Sequence, residues 1–308
     1  MPLMDLNIVD TDLATISPLQ LPSFLKKGIR ADVLRLDKIH PVISGNKWFK
    51  LAGYLQHAID QQCSTLLTFG GAYSNHIVAT ACAAQAAGFA SVGIIRGEEA
   101  DRSSPTLADA RSFGMQLEFI SRADYRQKQD PAFLEQLRKN HPGACMIPEG
   151  GAGPPGIRGS GAILQLFHPN EYSHLYCAVG TGTTFLGLAG AAGPVTAVEG
   201  ICVLKAAEGL SGELMKRIKE QGTGPGCRLH QQYHFGGYAR KNTELFRFMN
   251  QFYEETGIPT DFVYTAKLFY SVIDLAEKEK IAPGSHLLII HSGGLQGNRS
   301  LPPGTLLF

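Results

Sequence analysis

Apolar and polar positions along this chain follow two alternating patterns. Short β-branched or apolar runs, STLLTF from residue 64, SVGIIR from 91 and LEFI from 117, are separated by an Ala-rich segment from Ile77 to Ala87 and by TLADARSFG. Runs of four to six predict buried strands, and the longer small-residue segments predict helices. The pattern continues through ACMIP, a helix near GAILQLF, the strand LYCAV, the helix FLGLAGAA, the strand TAVEGI and finally HLLIIHSGG. Such alternation predicts an α/β fold with mainly parallel sheets covered by helices on both faces. Two Gly-rich stretches read as joints, Gly150 to Gly161 and QGTGPGCR near residues 221 to 228, neither long enough for a flexible linker. No internal repeat or low-complexity tract interrupts the pattern.

Composition narrows the class. The 308 residues are 44% hydrophobic and 18% charged, with 35 Gly against 17 Pro, which excludes a disordered, coiled-coil or collagen-like chain and suggests about two domains. Twenty-eight Lys plus Arg against 27 Asp plus Glu leave a formal charge of +1, so no basic field exists to gather nucleic acid or anionic lipid. A small, locally recognised ligand is expected instead. Six cysteines, at 63, 82, 145, 177, 202 and 227, form no CxxC pair, so neither a zinc site nor a disulfide framework is signalled. The start MPLMDLNIVDTDL lacks the basic and apolar regions of a signal peptide, and a cytoplasmic setting is expected. Leu175 to Val198 carries no charge over 24 residues, but nine of them are Gly or Thr and Pro194 interrupts it. That composition predicts a strand, loop, helix and strand of an α/β core rather than a membrane span.

Four clusters could carry chemistry. Ser44-Gly45-Asn46-Lys47-Trp48-Phe49-Lys50 opens a helical pattern, with Lys47 in the first turn. A lysine there loses proton affinity if it is held out of water, which suits an amine that must form an imine; equally, SGN could cap a helix whose lysines are solvated. Phe69-Gly70-Gly71-Ala72-Tyr73-Ser74-Asn75-His76 joins a strand to a helix and can turn N–H groups toward a carboxylate or phosphate, or be an ordinary turn capped by Ser74 or Asn75. Gly180-Thr181-Gly182-Thr183-Thr184 has the make-up of a phosphate cradle. Phe185 at the third glycine position breaks GxGxxG, so one phosphate monoester is favoured over a dinucleotide. Finally, Tyr238, Tyr264 in DFVYTAK and His291-Ser292-Gly293-Gly294 lie where loops meet strand ends, though spacing alone nominates neither tyrosine.

In this order the clusters resemble the fold type II pyridoxal phosphate enzymes, and within them the family of 1-aminocyclopropane-1-carboxylate deaminase and D-cysteine desulfhydrase. SGNKWFKL resembles the Schiff-base lysine motif, GGAYSNH the substrate-binding turn, IPEGG at 147 to 151 the interdomain segment and VGTGTT the phosphate loop. The resemblance implies a tryptophan synthase β-like α/β fold of two three-layer αβα domains. The larger, pyridoxal phosphate-binding domain would comprise residues 1–58 and 158–308, and a smaller inserted one residues 59–157. It implies pyridoxal 5'-phosphate bound to Lys47 in the cleft, its phosphate held by Gly180, Thr181, Gly182, Thr183 and Thr184, its ring hydroxyl met by Asn75 and its ring nitrogen faced by Thr265, with Ser292 beside it. Ser74, Asn75, His76, Tyr238 and Tyr264 would contact substrate, Lys47, Ser74 and the two tyrosines taking catalytic parts, and Lys50 matches a second basic residue near the site.

Branch choice rests on Thr265, where the deaminase branch has an acid, and on Ser292, similar to the hydroxyl in the HTGG of the desulfhydrase branch; His76 after SN points the same way. A hydroxyl beside the ring nitrogen makes a weaker electron sink, which fits expulsion of a thiolate better than opening of a cyclopropane. The resemblance therefore implies a cytoplasmic, homodimeric lyase acting on a small D-amino acid or cyclic amino acid, foremost D-cysteine. 1-Aminocyclopropane-1-carboxylate deamination and a catalytically idle cofactor-binding protein stand as alternatives. Ala266, DFVY in place of DPVY and RLD at 35 to 37 depart from the family pattern and bear on the substrate pocket.

Overall fold

A computed structural model of the protein describes residues 8–98, 104–205, 208–220 and 226–308. Among the described residues, ten strands form two sheets: β1 (Thr15–Pro18), β2 (Arg30–Arg35), β3 (Thr65–Gly70), β4 (Ala90–Arg96), β5 (Gln116–Ile120), β6 (Ala144–Ile147), β7 (His174–Val179), β8 (Ala197–Cys202), β9 (Arg228–His230) and β10 (His286–His291). The larger sheet runs β1-β2-β10-β7-β8-β9 and the smaller β5-β4-β3-β6. Every neighbouring pair among them is parallel except β1 with β2. The smaller sheet thus draws only on residues 65–147, and the larger is assembled from the flanks on either side.

The strands are apolar because helices cover both faces. All but the first residue of β3, β7 and β10 are buried. The helix Asn46–Asp60 buries Trp48, Phe49, Leu51, Tyr54 and Leu55 in a core that also takes in Leu66 and Ile147 of the smaller sheet and Leu175, Val198 and Ile290 of the larger. One continuous core therefore ties the sheets together.

The glycines between 150 and 161 lie where the chain passes from the smaller sheet to the larger, and Gly156, Gly159 and Gly161 are in a helix rather than a loop. Pro154–Gly161 is a helix wedged between Asn46–Asp60 and Thr183–Ala191, and Ala162–Leu166 continues it as a 3-10 turn, so the helix expected near GAILQLF begins earlier. A Cβ on Gly53 would lie 2.1 Å from the carbonyl oxygen of Pro155, and one on Gly159 2.0 Å from that of Phe49. The glycines are there because two helix backbones touch, a reason that composition does not distinguish from flexibility. Of the second expected joint, residues 221–225 lie outside the described residues. The charge-free stretch from Leu175 resolves into β7, a turn, the helix Thr183–Ala191 and β8, and no helix among the described residues is long and apolar enough to cross a membrane.

Candidate active site

The carboxyl ends of the two sheets face one cavity of about 690 Å³. Its wall brings together Lys47, Lys50, Ser74, Asn75, His76, Gly180 to Thr184, Tyr238, Tyr264 and Ser292, from loops far apart in sequence. Position at strand ends between two layered sheets is where α/β folds hold ligands.

Lys47 owes its place to Gly45. At φ +69° Gly45 caps the helix Asn46–Asp60 in a conformation that L side chains rarely adopt, and a Cβ there would stand 1.9 Å from the carbonyl oxygen of Ser292. The Asn46 N–H donates to that same carbonyl at 3.3 Å, so the lysine-bearing loop lies against the loop after β10. Lys47 Nζ donates to Asn46 Oδ1 at 2.9 Å and sits 5.6 Å from the centre of the Tyr264 ring. Burial lowers its pKa to about 8, with Asp261 pulling the other way. Near neutral pH this amine surrenders its proton far more readily than a solvated lysine.

Lys50 is 5% exposed and donates to the carbonyl oxygen of Gly150 at 3.1 Å. Burial, then Lys47, holds its pKa well below the ordinary value. His76, also buried, pairs its Nε2 with Thr68 Oγ1 at 2.9 Å, while Nδ1 has no protein partner. Burial and the two lysines push its pKa to about 3, so it is neutral throughout the physiological range. His76 thus adds no positive charge to a cavity lined by Lys47, Lys50, Arg96 and Arg122.

Opposite Lys47, Gly182 at φ +81° begins the helix Thr183–Ala191, and its left-handed turn packs directly on Leu214. The first N–H groups of this helix have no carbonyl partner within it, so they and the hydroxyls of Thr181, Thr183 and Thr184 form an anion cup. Thr181 Oγ1 lies 2.9 Å from Thr183 Oγ1, and Asn46 Nδ2 donates to Thr184 Oγ1 at 2.7 Å, which ties the cup to the lysine loop. A second helix, Asn75–Ala86, starts at the cavity with Ser74 as its cap. Ser74 Oγ accepts from the Ile77 N–H at 3.4 Å, which leaves its own O–H as a donor. Asn75 Nδ2 donates to the Gly294 carbonyl at 3.0 Å, whereas its Oδ1 is buried with no partner among the described residues and can accept from a ligand donor.

Tyr264 is held edge to face with half-exposed Tyr238, ring centres 6.2 Å apart, and burial followed by that neighbour raises its pKa well above the ordinary value. Thr265 corrects the expectation. It does not line the cavity: fully buried at the first turn of the helix Thr265–Glu277, its hydroxyl donates to Asp261 Oδ1 at 2.9 Å and accepts from the Asp261 N–H at 2.7 Å. The same carboxylate receives the N–H groups of Val263, Tyr264 and Thr265. Capping of the helix claims Thr265, and of the two branch positions Ser292 alone stands in the wall. Thr265→Val should lower stability by about 1–3 kcal/mol in urea unfolding, from the loss of buried hydrogen bonds to a carboxylate. Cofactor absorption should be retained, and a changed cofactor spectrum with unchanged stability would refute that assignment.

The sequence reading gave no role of their own to Asn46, Asp261 and Lys267, all buried. Lys267 had a signal, a lysine in the apolar helix TAKLFYSVIDLAE. Asp261 had another, an acid four residues before a helical Thr. Asn46 had none beyond its neighbour.

Fold and cavity together define an α/β enzyme that works between two parallel sheets. A model of the pyridoxal-phosphate dependent enzymes matches residues 11–293, and the chain belongs to that family. It is 30% identical to a "Putative 1-aminocyclopropane-1-carboxylate deaminase" of Pyrococcus abyssi, over 91% of this chain and 90% of the relative. It is 27% identical to the mitochondrial bifunctional D-cysteine desulfhydrase/1-aminocyclopropane-1-carboxylate deaminase of Arabidopsis thaliana, over 89% of this chain and 74% of that one. Among solved structures, an ACC deaminase homologue superposes with a TM-score of 0.78 at 26% identity, covering 92% of this chain and 90% of that one.

The residues fit pyridoxal 5'-phosphate. The anion cup matches a phosphate, the low-pKa amine of Lys47 matches its aldehyde, and the unpartnered Asn75 Oδ1 matches its ring hydroxyl.

Proposed function

We propose that the protein is a lyase that eliminates hydrosulfide from D-cysteine, yielding pyruvate and ammonia, with Lys47 as the residue that holds the cofactor. The observation that carries the substrate choice is Ser292, a hydroxyl in the cavity wall just beyond β10 where the deaminase branch has an apolar residue. Bound pyridoxal phosphate supplies an electron sink for the bond broken at Cα, and a hydroxyl partner leaves that sink weak enough to favour a substrate with its own leaving group.

The chain's residues do the rest. Ser74 O–H and the N–H groups opening the helix Asn75–Ala86 grip the substrate carboxylate, fixing the Cα–H bond for attack. Lys47 Nζ, lowered to a pKa of about 8, releases the substrate site and takes the Cα proton. Gly180 to Thr184 neutralise the phosphate charge, and Tyr264, with Tyr238 edge to face against it, closes the substrate side beside Lys47. As the Cα–H bond breaks, a Cα=Cβ bond forms and the Cβ–S bond releases its electron pair with hydrosulfide; water then converts the freed enamine to pyruvate and ammonia.

The relatives named for 1-aminocyclopropane-1-carboxylate favour a second reading, deamination of that cyclic amino acid to 2-oxobutanoate. Assay of the cofactor-loaded protein on D-cysteine, 1-aminocyclopropane-1-carboxylate and L-cysteine separates the two. Sulfide and pyruvate from D-cysteine alone are expected; 2-oxobutanoate without sulfide would replace the first reading by the second.

A further inference from the structure

We propose that Lys267 is a positioning residue whose ammonium group anchors the loop bearing Tyr238 against the helix bearing Tyr264. This rests on the reading that Tyr238 faces the substrate.

Lys267 is completely buried, and all three of its N–H bonds are spent on backbone carbonyls: Val203 at 3.3 Å, His234 at 2.9 Å and Gly237 at 2.8 Å. An ammonium has three donors and no acceptor, so these oxygens saturate it. Burial lowers its pKa to about 8, which leaves it protonated at neutral pH. Val203 follows β8 in the larger sheet, whereas His234 and Gly237 bracket the turn that delivers Tyr238.

That turn needs an anchor. Phe235, Gly236, Gly237 and Ala239 all have positive φ, at 49°, 84°, 121° and 50°. Left-handed conformations are disfavoured at the non-glycine positions, so the segment holds this shape only where contacts impose it. The donors on Lys267 grip the turn at both of its ends. Tyr264 and Lys267 lie three residues apart at the start of one helix, and from that helix Tyr270 packs edge to face on Phe235 at 4.9 Å. The helix that places Tyr264 thereby also sets where Tyr238 stands, and the 6.2 Å ring pair follows from a single rigid element.

A double-mutant cycle on the holoenzyme tests this. Lys267→Met should lower kcat/KM for the amino acid at least tenfold while cofactor occupancy and visible absorption match the wild type. In a Tyr238→Ala background the same change should cost less than twofold more, because the group it positions is gone. Lys267→Gln, which keeps two N–H donors, should fall between wild type and Met, and it carries the cycle if the Met variant does not fold. Multiplicative losses in the double variant, or Lys267→Met within twofold of wild type, would overturn the anchoring role alone. A Tyr238→Ala enzyme with wild-type kinetics would instead overturn the substrate-facing role of Tyr238 and this proposal with it.

Discussion

Lys47→Ala is expected to remove the yellow colour of the holoenzyme and at least about a thousandfold of its turnover, since on the proposed reading one substitution takes away both the covalent tether and the base at Cα. Three lysines lie in or near the site, Lys50 and Lys267 buried and Lys47 half-buried, and geometry separates them. Lys267 is saturated by three carbonyls, and Lys50 is drawn toward Gly150. Lys47 faces the cavity with a single side-chain acceptor, Asn46 Oδ1, a bond that it can give up. Alanine is a good helix former at the first turn, so the variant should fold with near wild-type circular dichroism. A coloured, active Lys47→Ala protein would remove this residue from the chemistry.

Gly45→Ala is expected to destabilise the protein by about 3 kcal/mol or more, read as a lower urea midpoint at unchanged m-value. A positive φ penalises alanine by about 1–2 kcal/mol, and the added methyl would meet the Ser292 carbonyl. Backbone cannot yield as a side-chain tip can, so either the loop at 44–46 or the loop at 292–294 must move. Both shape the cavity: the first carries Lys47 to its place, and the second receives the Asn75 amide at Gly294. Weakened cofactor affinity should therefore accompany the loss of stability. A midpoint shift worth less than 1 kcal/mol would show that these loops are not in the close contact described.

The strands β3 to β8 and β10 were legible because strands of a sheet covered on both faces read as plain apolar runs, as in STLLTF and HLLIIH. The anion cup was legible because its ingredients, Gly180 to Thr184, are contiguous. What could not be read depends on contacts remote in sequence. Gly53 and Gly159 let two helix backbones touch, and only the partner backbone reveals it. Thr265 looked like a cavity residue because it follows Tyr264, yet a helix start turns successive side chains about 100° apart. That rotation carries Thr265 to Asp261, four residues back, and away from the cavity that Tyr264 lines. Lys267 was hidden for the same reason, its acceptors lying 30 to 64 residues away.

The most direct test of the account is borohydride reduction of the holoenzyme followed by peptide mass mapping. Reduction freezes the cofactor onto whichever amine carries it, and the modified lysine then resists trypsin. The pyridoxyl mass is expected on Lys47 alone, in a peptide uncleaved at that residue; the same mass on Lys50 or Lys267, or on no lysine, would contradict the site described above.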